Sequence, residues 1–538
     1  MDNRSENINA LITSVKDKIG RPVSTRVVAA TIESLGIRDK DIPDDFGLDS
    51  IEELSYYIFN RLTSGSYQDD ELLNLKERAA KLKASDTVLV SDYLTVKAKI
   101  FAQYYPLGIF HLLPVFLQIA AIILFGYSLW THVDFNHLQS TAVVLGVILG
   151  LIITGGFVQV IGRQASFFWN YQDIEMTFIT IKKMIGLGTK SIMVVLAIIV
   201  VINVFFNIYP FLMLTVIFIY AFLIGLLLLV LAPYHTVKQR WMITVSILFG
   251  TALTVCLNKF TTTHIYLTHW SGISLAILIC WMYLLLYFKT LLKGKIPKKL
   301  TVNPAVFLYH NYQYFIYGFL VFIFIFTDRI LAWSISDNGS PLPFLIYFEK
   351  NYELGMDLAI LAFLLLAGVM EYSIASFTKF LDIYQKNTAY NKFEQFNNQL
   401  KKLYKQHILF LFLTGVFIFI LIYLVITAPW GYKGQFNEEL EKVSVVVSFI
   451  GATGYIFLAW GMLNTLYLFT LGKPTKSLQS MIIACIVNVT IGLICSRFIS
   501  FEYSSIGMLC GAFVFMIMTY KALIKFLNKL DYHYYASY

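Results

Sequence analysis

Charge is the scarcest commodity in this chain. Only 14% of its 538 residues are Asp, Glu, Lys or Arg, where a soluble chain carries about 25%. With 57% hydrophobic residues and a mean hydropathy of +0.66, that shortfall excludes an ordinary soluble protein and indicates a membrane protein. Cysteine is scarce too. Cys256, Cys280, Cys485, Cys495 and Cys510 all fall in hydrophobic stretches and form no CxxC pair. Neither a disulfide framework nor a metal site is indicated, and the five read as small apolar packing residues. There is no GxxxxGK[ST] phosphate loop, which excludes an ATPase site in the chain. HExxH, GxSxG and the repeated Asp/Glu pair that holds metal and sugar-nucleotide phosphate are also missing, so nothing supports catalysis and no cofactor is implied. The nine histidines are scattered, and His111, His132, His137, His264, His269 and His310 lie near predicted span ends, where imidazole is usually interfacial. The opening MDNRSENINALITSVKDK has no apolar core, so no cleavable signal peptide is expected.

What is present is a chain of two characters. Residues 1–99 hold 14 Lys/Arg against 17 Asp/Glu, and the remainder holds 28 against 16, a net of −3 before residue 100 and +12 after it. A basic surplus in a membrane domain belongs to cytoplasmic loops facing anionic lipid. It does not call for nucleic acid, for which no stacking or groove-binding motif exists.

A spanning helix needs about 20 apolar residues. Twelve such segments are predicted, near 106–130, 139–161, 190–208, 210–232, 241–258, 270–292, 313–335, 352–374, 407–428, 443–468, 478–499 and 503–525. Every second connection is basic, as at Lys182/Lys183/Lys190, Lys238/Arg240, Lys289–Lys299 and Lys473/Lys476, while those between, such as Ser336–Glu353, are short, neutral or acidic. That alternation predicts twelve spans with both termini inside a cytoplasmic membrane. Two mixed segments, Arg163–Leu187 and Thr388–Gln406, should be amphipathic helices or helix extensions on the cytoplasmic side. They either join neighbouring spans at the interface or dock a partner or substrate.

Residues 1–95 read as a soluble helical region, with amphipathic segments near 8–19, 24–36, 50–63 and 70–84. Ser50-Ile51-Glu52-Glu53 forms a capping box at one helix start. The surrounding Gly47-Leu48-Asp49-Ser50-Ile51 also resembles the attachment motif of acyl and peptidyl carrier proteins, in which the serine carries phosphopantetheine. A cytosolic docking or regulatory region is the plainer expectation.

The stretch from Tyr312 to Phe380 places Asp328, Arg329, Asp357 and Glu371 within or at the edges of two apolar spans. A charge at bilayer depth costs about 2.5–3.5 kcal/mol on insertion scales, so it normally faces protein or a watery cavity. These four residues are therefore candidates for the lining or gate of a transport path. A shallow anchoring role for Asp328 and Arg329 stays open. Asp357 and Glu371 are 14 residues apart, which on a helix is about 40° short of four turns and roughly 21 Å along the axis. One acidic wall would suit a coupling cation or a cationic cargo. Aromatic side chains such as Tyr309, Tyr312, Tyr314, Tyr317 and Tyr372 could stack on sugar rings, although membrane aromatics are mostly packing or interfacial belts.

Several of these segments resemble the PelG-like family of exopolysaccharide exporters, within the multidrug/oligosaccharidyl-lipid/polysaccharide exporter superfamily. The likeness rests on Thr327-Asp328-Arg329-Ile330-Leu331-Ala332-Trp333, on Tyr352-Glu353-Leu354-Gly355-Met356-Asp357-Leu358 and the helix with Glu371, on Tyr384–Leu403, and on Leu530-Asp531-Tyr532. It spans about 105–535; residues 1–95 and the opening before the first span depart from the family. The resemblance implies an all-α membrane fold of two six-helix bundles, 105–295 and 300–535, rocking about a pseudo-two-fold axis, although no convincing sequence repeat relates the halves. It also implies export of an amino-sugar-rich polysaccharide beside a cytosolic glycosyltransferase and membrane scaffold proteins responsive to cyclic di-GMP. A flippase for lipid-linked oligosaccharide and a membrane scaffold for a polysaccharide synthase are the alternatives. Lacking an ATPase site, transport would draw on an ion gradient, a partner or the polymerisation itself.

Overall fold

The computed structural model describes residues 2–20, 22, 24–37, 39–63, 90–110, 113–293, 304–335, 342–387, 393–429, 431–436 and 439–528. The chain divides into two compact units, Met1–Val96 and Lys97–Tyr538.

In the first unit, α1 (Asp2–Ile19), α2 (Thr25–Ser34) and α3 (Ile51–Thr63) pack around Ile12, Val15, Val28, Ile32, Leu54 and Ile58. Two of the helix starts have a chemical reason. Ser24 accepts from the Val27 N–H and caps α2. Ser50 accepts from the Glu53 N–H at 3.3 Å, and Glu53 reaches back to the Asp49 N–H at 3.1 Å. The box expected at Ser50 therefore forms, with its return bond one residue earlier than the ideal pattern. The predicted 70–84 segment lies outside the described residues.

The second unit is a bundle of long apolar helices. They are α4 (Val90–Phe110), α5 (Leu113–Phe125), α6 (His137–Val160), α7 (Ile174–Phe206), α8 (Phe211–Leu231), α9 (Trp241–Phe260) and α10 (Ile265–Leu291) in the first half. The second half holds α11 (Pro304–Trp333), α12 (Lys350–Asn387), α13 (Phe393–Thr427), α14 (Lys442–Thr470), α15 (Pro474–Phe498) and α16 (Ser504–Leu527). Among the described residues eleven helices are long and apolar enough to cross a membrane. Counting the α4–α5 pair, bent by 44°, as one broken span gives twelve. Pro114 in the first turn of α5 lacks an N–H and suits that break. The protein is a multi-pass membrane protein with a twelve-span all-α fold.

Polar residues set the connections. Asn136 and Gln139 form a reciprocal box that starts α6. Asn207 ends α7 in the left-handed conformation, at φ 45°. The Asn203 amide then clasps both the N–H and the carbonyl of Tyr209 at 2.9 Å. That clasp lets Asn207-Ile208-Tyr209 reverse the chain within three residues. The Arg163–Leu187 segment is a helix extension: a π-turn over Ile161–Ala165, a short helix Ser166–Asn170, then the first turns of α7. Of Thr388–Gln406, residues 388–392 lie outside the described residues, and the rest opens α13.

With lipid replacing water, helix association relies on close packing rather than on hydrophobic driving force. Within the first lobe, Gly146 and Gly150 of α6 lie directly against α8, where an added Cβ would stand 2.7 Å from the Ile217 and Ala221 carbonyl oxygens respectively. Within the second, Gly507 of α16 meets Gly492 of α15, and Gly355 of α12 meets Ser444 of α14. Alternation through twelve spans puts the helix ends carrying Lys182, Arg240, Lys289, Lys379, Lys476 and Lys525 at one end of the bundle, here called the basic end.

Candidate functional site

The second lobe gathers charge where α11, α12 and α14 meet, toward the end opposite the basic one. Asp328 is fully buried and Arg329 nearly so, at 0% and 5% exposure. Both side chains are packed inside protein. The Arg329 guanidinium donates to Glu353 in the first turn of α12 at 2.7 Å. The Tyr352 hydroxyl donates to Asp328 Oδ2, also at 2.7 Å. Asp357, one turn beyond Glu353, interacts electrostatically with Arg329, as does Tyr455 of α14. One guanidinium thus faces three carboxylates.

The cluster is only half satisfied. Asp328 Oδ1, Glu353 Oε2, and Nε and Nη2 of Arg329 are buried without a protein hydrogen-bond partner. Buried charge is costly unless paired and bonded, and a partly satisfied network is less stable than an apolar core. Such an arrangement is weak evidence for stability. Asp357 differs from its neighbours in the cluster in being exposed.

Sequence reasoning selected three of these residues and missed Glu353, Tyr352 and Tyr455. Glu353 had been assigned to an acidic loop, Ser336–Glu353; it belongs to α12 and holds the arginine. Its signal was the spacing to Asp357, four residues and one helical turn.

Glu371 belongs elsewhere. It lies 18 residues past Glu353, about 27 Å along α12, in the half nearer the basic end. There its Oε1 pairs with Arg240 at 2.8 Å, from the residue preceding α9 in the other lobe. Asp357 and Glu371 share a helix but serve two places. Ser50 sits in the separate first unit as the cap of α3, partly exposed.

The lobes meet along two seams in that same half. In one, Gly155 and Gly156 of α6 lie against Gly318 and Phe315 of α11, with Phe157 edge-on to Phe315 at 4.9 Å. In the other, Gly108 of α4 lies against Gly368 of α12, and Phe101 and Tyr105 of α4 pack on Tyr372 and Phe410. At the opposite end the α11–α12 connection reaches over to the first lobe. There the Tyr209 hydroxyl donates to the Ile346 carbonyl at 3.1 Å and the Phe348 N–H to Thr141 at 3.1 Å.

Other buried polar groups knit each lobe internally. Tyr404 donates to Asn464, Asn464 to Thr519, and His407 bonds Tyr467. In the first lobe Gln118 joins Thr251 to the Leu129 N–H. His269, expected at an interface, is instead fully buried in α10 and bonded to the Tyr220 hydroxyl at 2.8 Å. Among the described residues no group of three or more His, Cys, Asp or Glu is placed to hold a metal ion.

No family model matches the chain, and no curated protein matches it in sequence. Solved structures do share its fold. One is the outward-facing conformation of a multidrug resistance MATE family transporter of the MOP superfamily, with TM-score 0.52 and 12% identity. It covers 80% of this chain and 97% of its own. MATE in the straight conformation gives 0.52 and 12%, and MATE in complex with MaD5 gives 0.54 and 13%, each with the same coverage. At such identity the likeness is one of fold.

Proposed function

We propose that this protein is a cytoplasmic-membrane exporter that moves a polysaccharide by alternating access between its two lobes. The basic end faces the cytoplasm, in keeping with the distribution of Lys and Arg among the connections. The observation that carries the reading is Asp357, an exposed carboxylate that interacts with Arg329, beside the buried and half-satisfied Asp328–Arg329–Glu353 cluster. A cargo bearing amino groups brings positive charge to that wall. A coupling cation could use the same excess of carboxylate.

The resemblance of the segments around Asp328 and Asp357 to PelG-like exporters supports an amino-sugar-rich polymer as cargo. It also supports a glycosyltransferase and cyclic-di-GMP-responsive scaffold proteins as partners. In this reading Asp357 contacts cargo or coupling ion, Glu353, Arg329 and Asp328 hold the wall in shape, and the Met1–Val96 unit is a docking or regulatory module.

The test is Asp357→Asn in the producing cell, with secreted polymer measured against the amount of protein in the membrane. Secretion should fall while the membrane level stays normal. Unchanged secretion refutes the assignment of the site. Lipid-linked oligosaccharide accumulating in a deletion strain would replace the polymer reading with a flippase. Reconstituted protein that moves no glycan, yet binds a glycosyltransferase, would replace it with a scaffold.

A further inference from the structure

Glu371 and Arg240 lie apart from the charged cluster and join the two lobes directly. Over little more than one turn, α12 presents Gly368, Glu371 and Tyr372 to the first lobe. Gly368 makes the backbone approach to Gly108, where an added Cβ would come within 2.5 Å. Tyr372 packs edge-on to Phe101 at 5.4 Å. Glu371 reaches Arg240 at 2.8 Å, with side-chain exposures of 31% and 24%. The companion seam, α6 on α11, has the same glycine crossing and an aromatic pair, but there Arg163 lies over the Tyr314 ring at 5.4 Å.

These contacts differ in how they respond to separation. Glycine crossings and ring packing are short-ranged and tolerate pivoting. A half-exposed ion pair is lost when the ends part and its charges are rehydrated at modest cost.

We propose that Arg240 and Glu371 form a latch that holds the basic end of the lobe interface closed, so that opening toward that end requires this pair to part. The inference rests on alternating access and is independent of what the cargo is. Glu371 then acts by positioning the lobes; it does not contact cargo in the closed state.

The test uses purified full-length protein in lipid nanodiscs, without cargo, with its five cysteines replaced and spin labels at Lys182 of α7 and Lys379 of α12. Both positions are exposed at the basic end, one on each lobe. The native pair should give a distribution dominated by the short distance. Arg240→Gln and Glu371→Gln should each raise the long-distance population about three- to tenfold, the range for a charged hydrogen bond partly exposed to solvent. The double exchange Arg240→Glu with Glu371→Arg should return it toward the native ratio, which a merely misfolded variant would not do. Two populations whose ratio ignores all three variants, or an exchange no closer to native than the single changes, overturn the latch alone. A single distance in every variant overturns both the latch and alternating access.

Discussion

Arg329 offers the sharpest test of the charged cluster. Its guanidinium is paired with Glu353 at 2.7 Å, with side-chain exposures of 6% and 11%, and Asp328 and Asp357 add further attraction. At an effective dielectric of 20 a single pair about 4 Å apart attracts by about 4 kcal/mol. Desolvation of both ions offsets much of that. The net worth of the pair is thus small, but removal of one member is expensive because the other charge is left buried alone, at about 3–5 kcal/mol. Arg329→Met does this to three carboxylates together. Spread over the 442 residues of the second unit, a loss of that size lowers the melting temperature by about 3–6 °C, scaling from the usual unfolding entropy per residue. Adding Glu353→Leu removes the stranded carboxylate nearest the gap and should recover more than half of the loss. The assay is thermal unfolding of the detergent-solubilised single and double variants, read by intrinsic fluorescence. If Arg329→Met melts with the native protein, or if the two changes simply add, the ion pair is not what organises this site.

Further outcomes follow from other contacts. At Gly318 an added Cβ would stand 2.6 Å from the Gly155 carbonyl and 2.7 Å from Gln159 Cβ. Gly318→Ala should therefore splay α6 from α11 and destabilise by about 1–3 kcal/mol, seen as a lower melting temperature; an unchanged one would mean the seam yields freely. Tyr220→Phe removes the bond to His269 and should cost about 1–2 kcal/mol by stranding a buried ring nitrogen, measured the same way. His132, in the α5–α6 connection, stacks on Tyr127 at 4.1 Å. Burial lowers its pKa below the ordinary histidine value, with Asp134 opposing. A depressed histidine binds fewer protons folded than unfolded, so its contribution is present at pH 7.5 and is lost as pH falls through and below the ordinary value. Melting between pH 7.5 and 5.5 should fall less in His132→Gln than in the native chain, and equal slopes would show that His132 does not contribute.

The architecture was legible because its signal is local. Apolar runs of about 20 residues and the alternation of Lys and Arg between connections each report on a few consecutive residues. That was enough for an all-α fold of eleven to twelve candidate spans. Helix ends were less legible: the apolar run of α7 starts near 190, whereas the helix starts at Ile174 because Asp173 caps it through the Met176 N–H. Asp328, Arg329 and Asp357 stood out because charge is costly in an apolar span. Their completion by Glu353, and the departure of Glu371 to Arg240, were hidden for a physical reason. Arg240 and Glu371 are separated by 131 residues, and helical periodicity gives the face of a helix without naming what it faces.

The arrangement of the seams carries the last step. Numbering the α4–α5 pair as span 1, the crossings join span 2 to span 7 and span 1 to span 8. Gly155 and Gly318 meet at one crossing, Gly108 and Gly368 at the other. Chemistry differs between the lobes. The Arg329 cluster lies in the second lobe, whereas the first lobe holds neutral networks at Gln118–Thr251 and Tyr220–His269. One seam carries an ion pair and the other an arginine over a ring. Paired glycine crossings make the two seams alike in packing, while an ion pair closes one and an arginine over a ring the other, so that parting them costs different amounts.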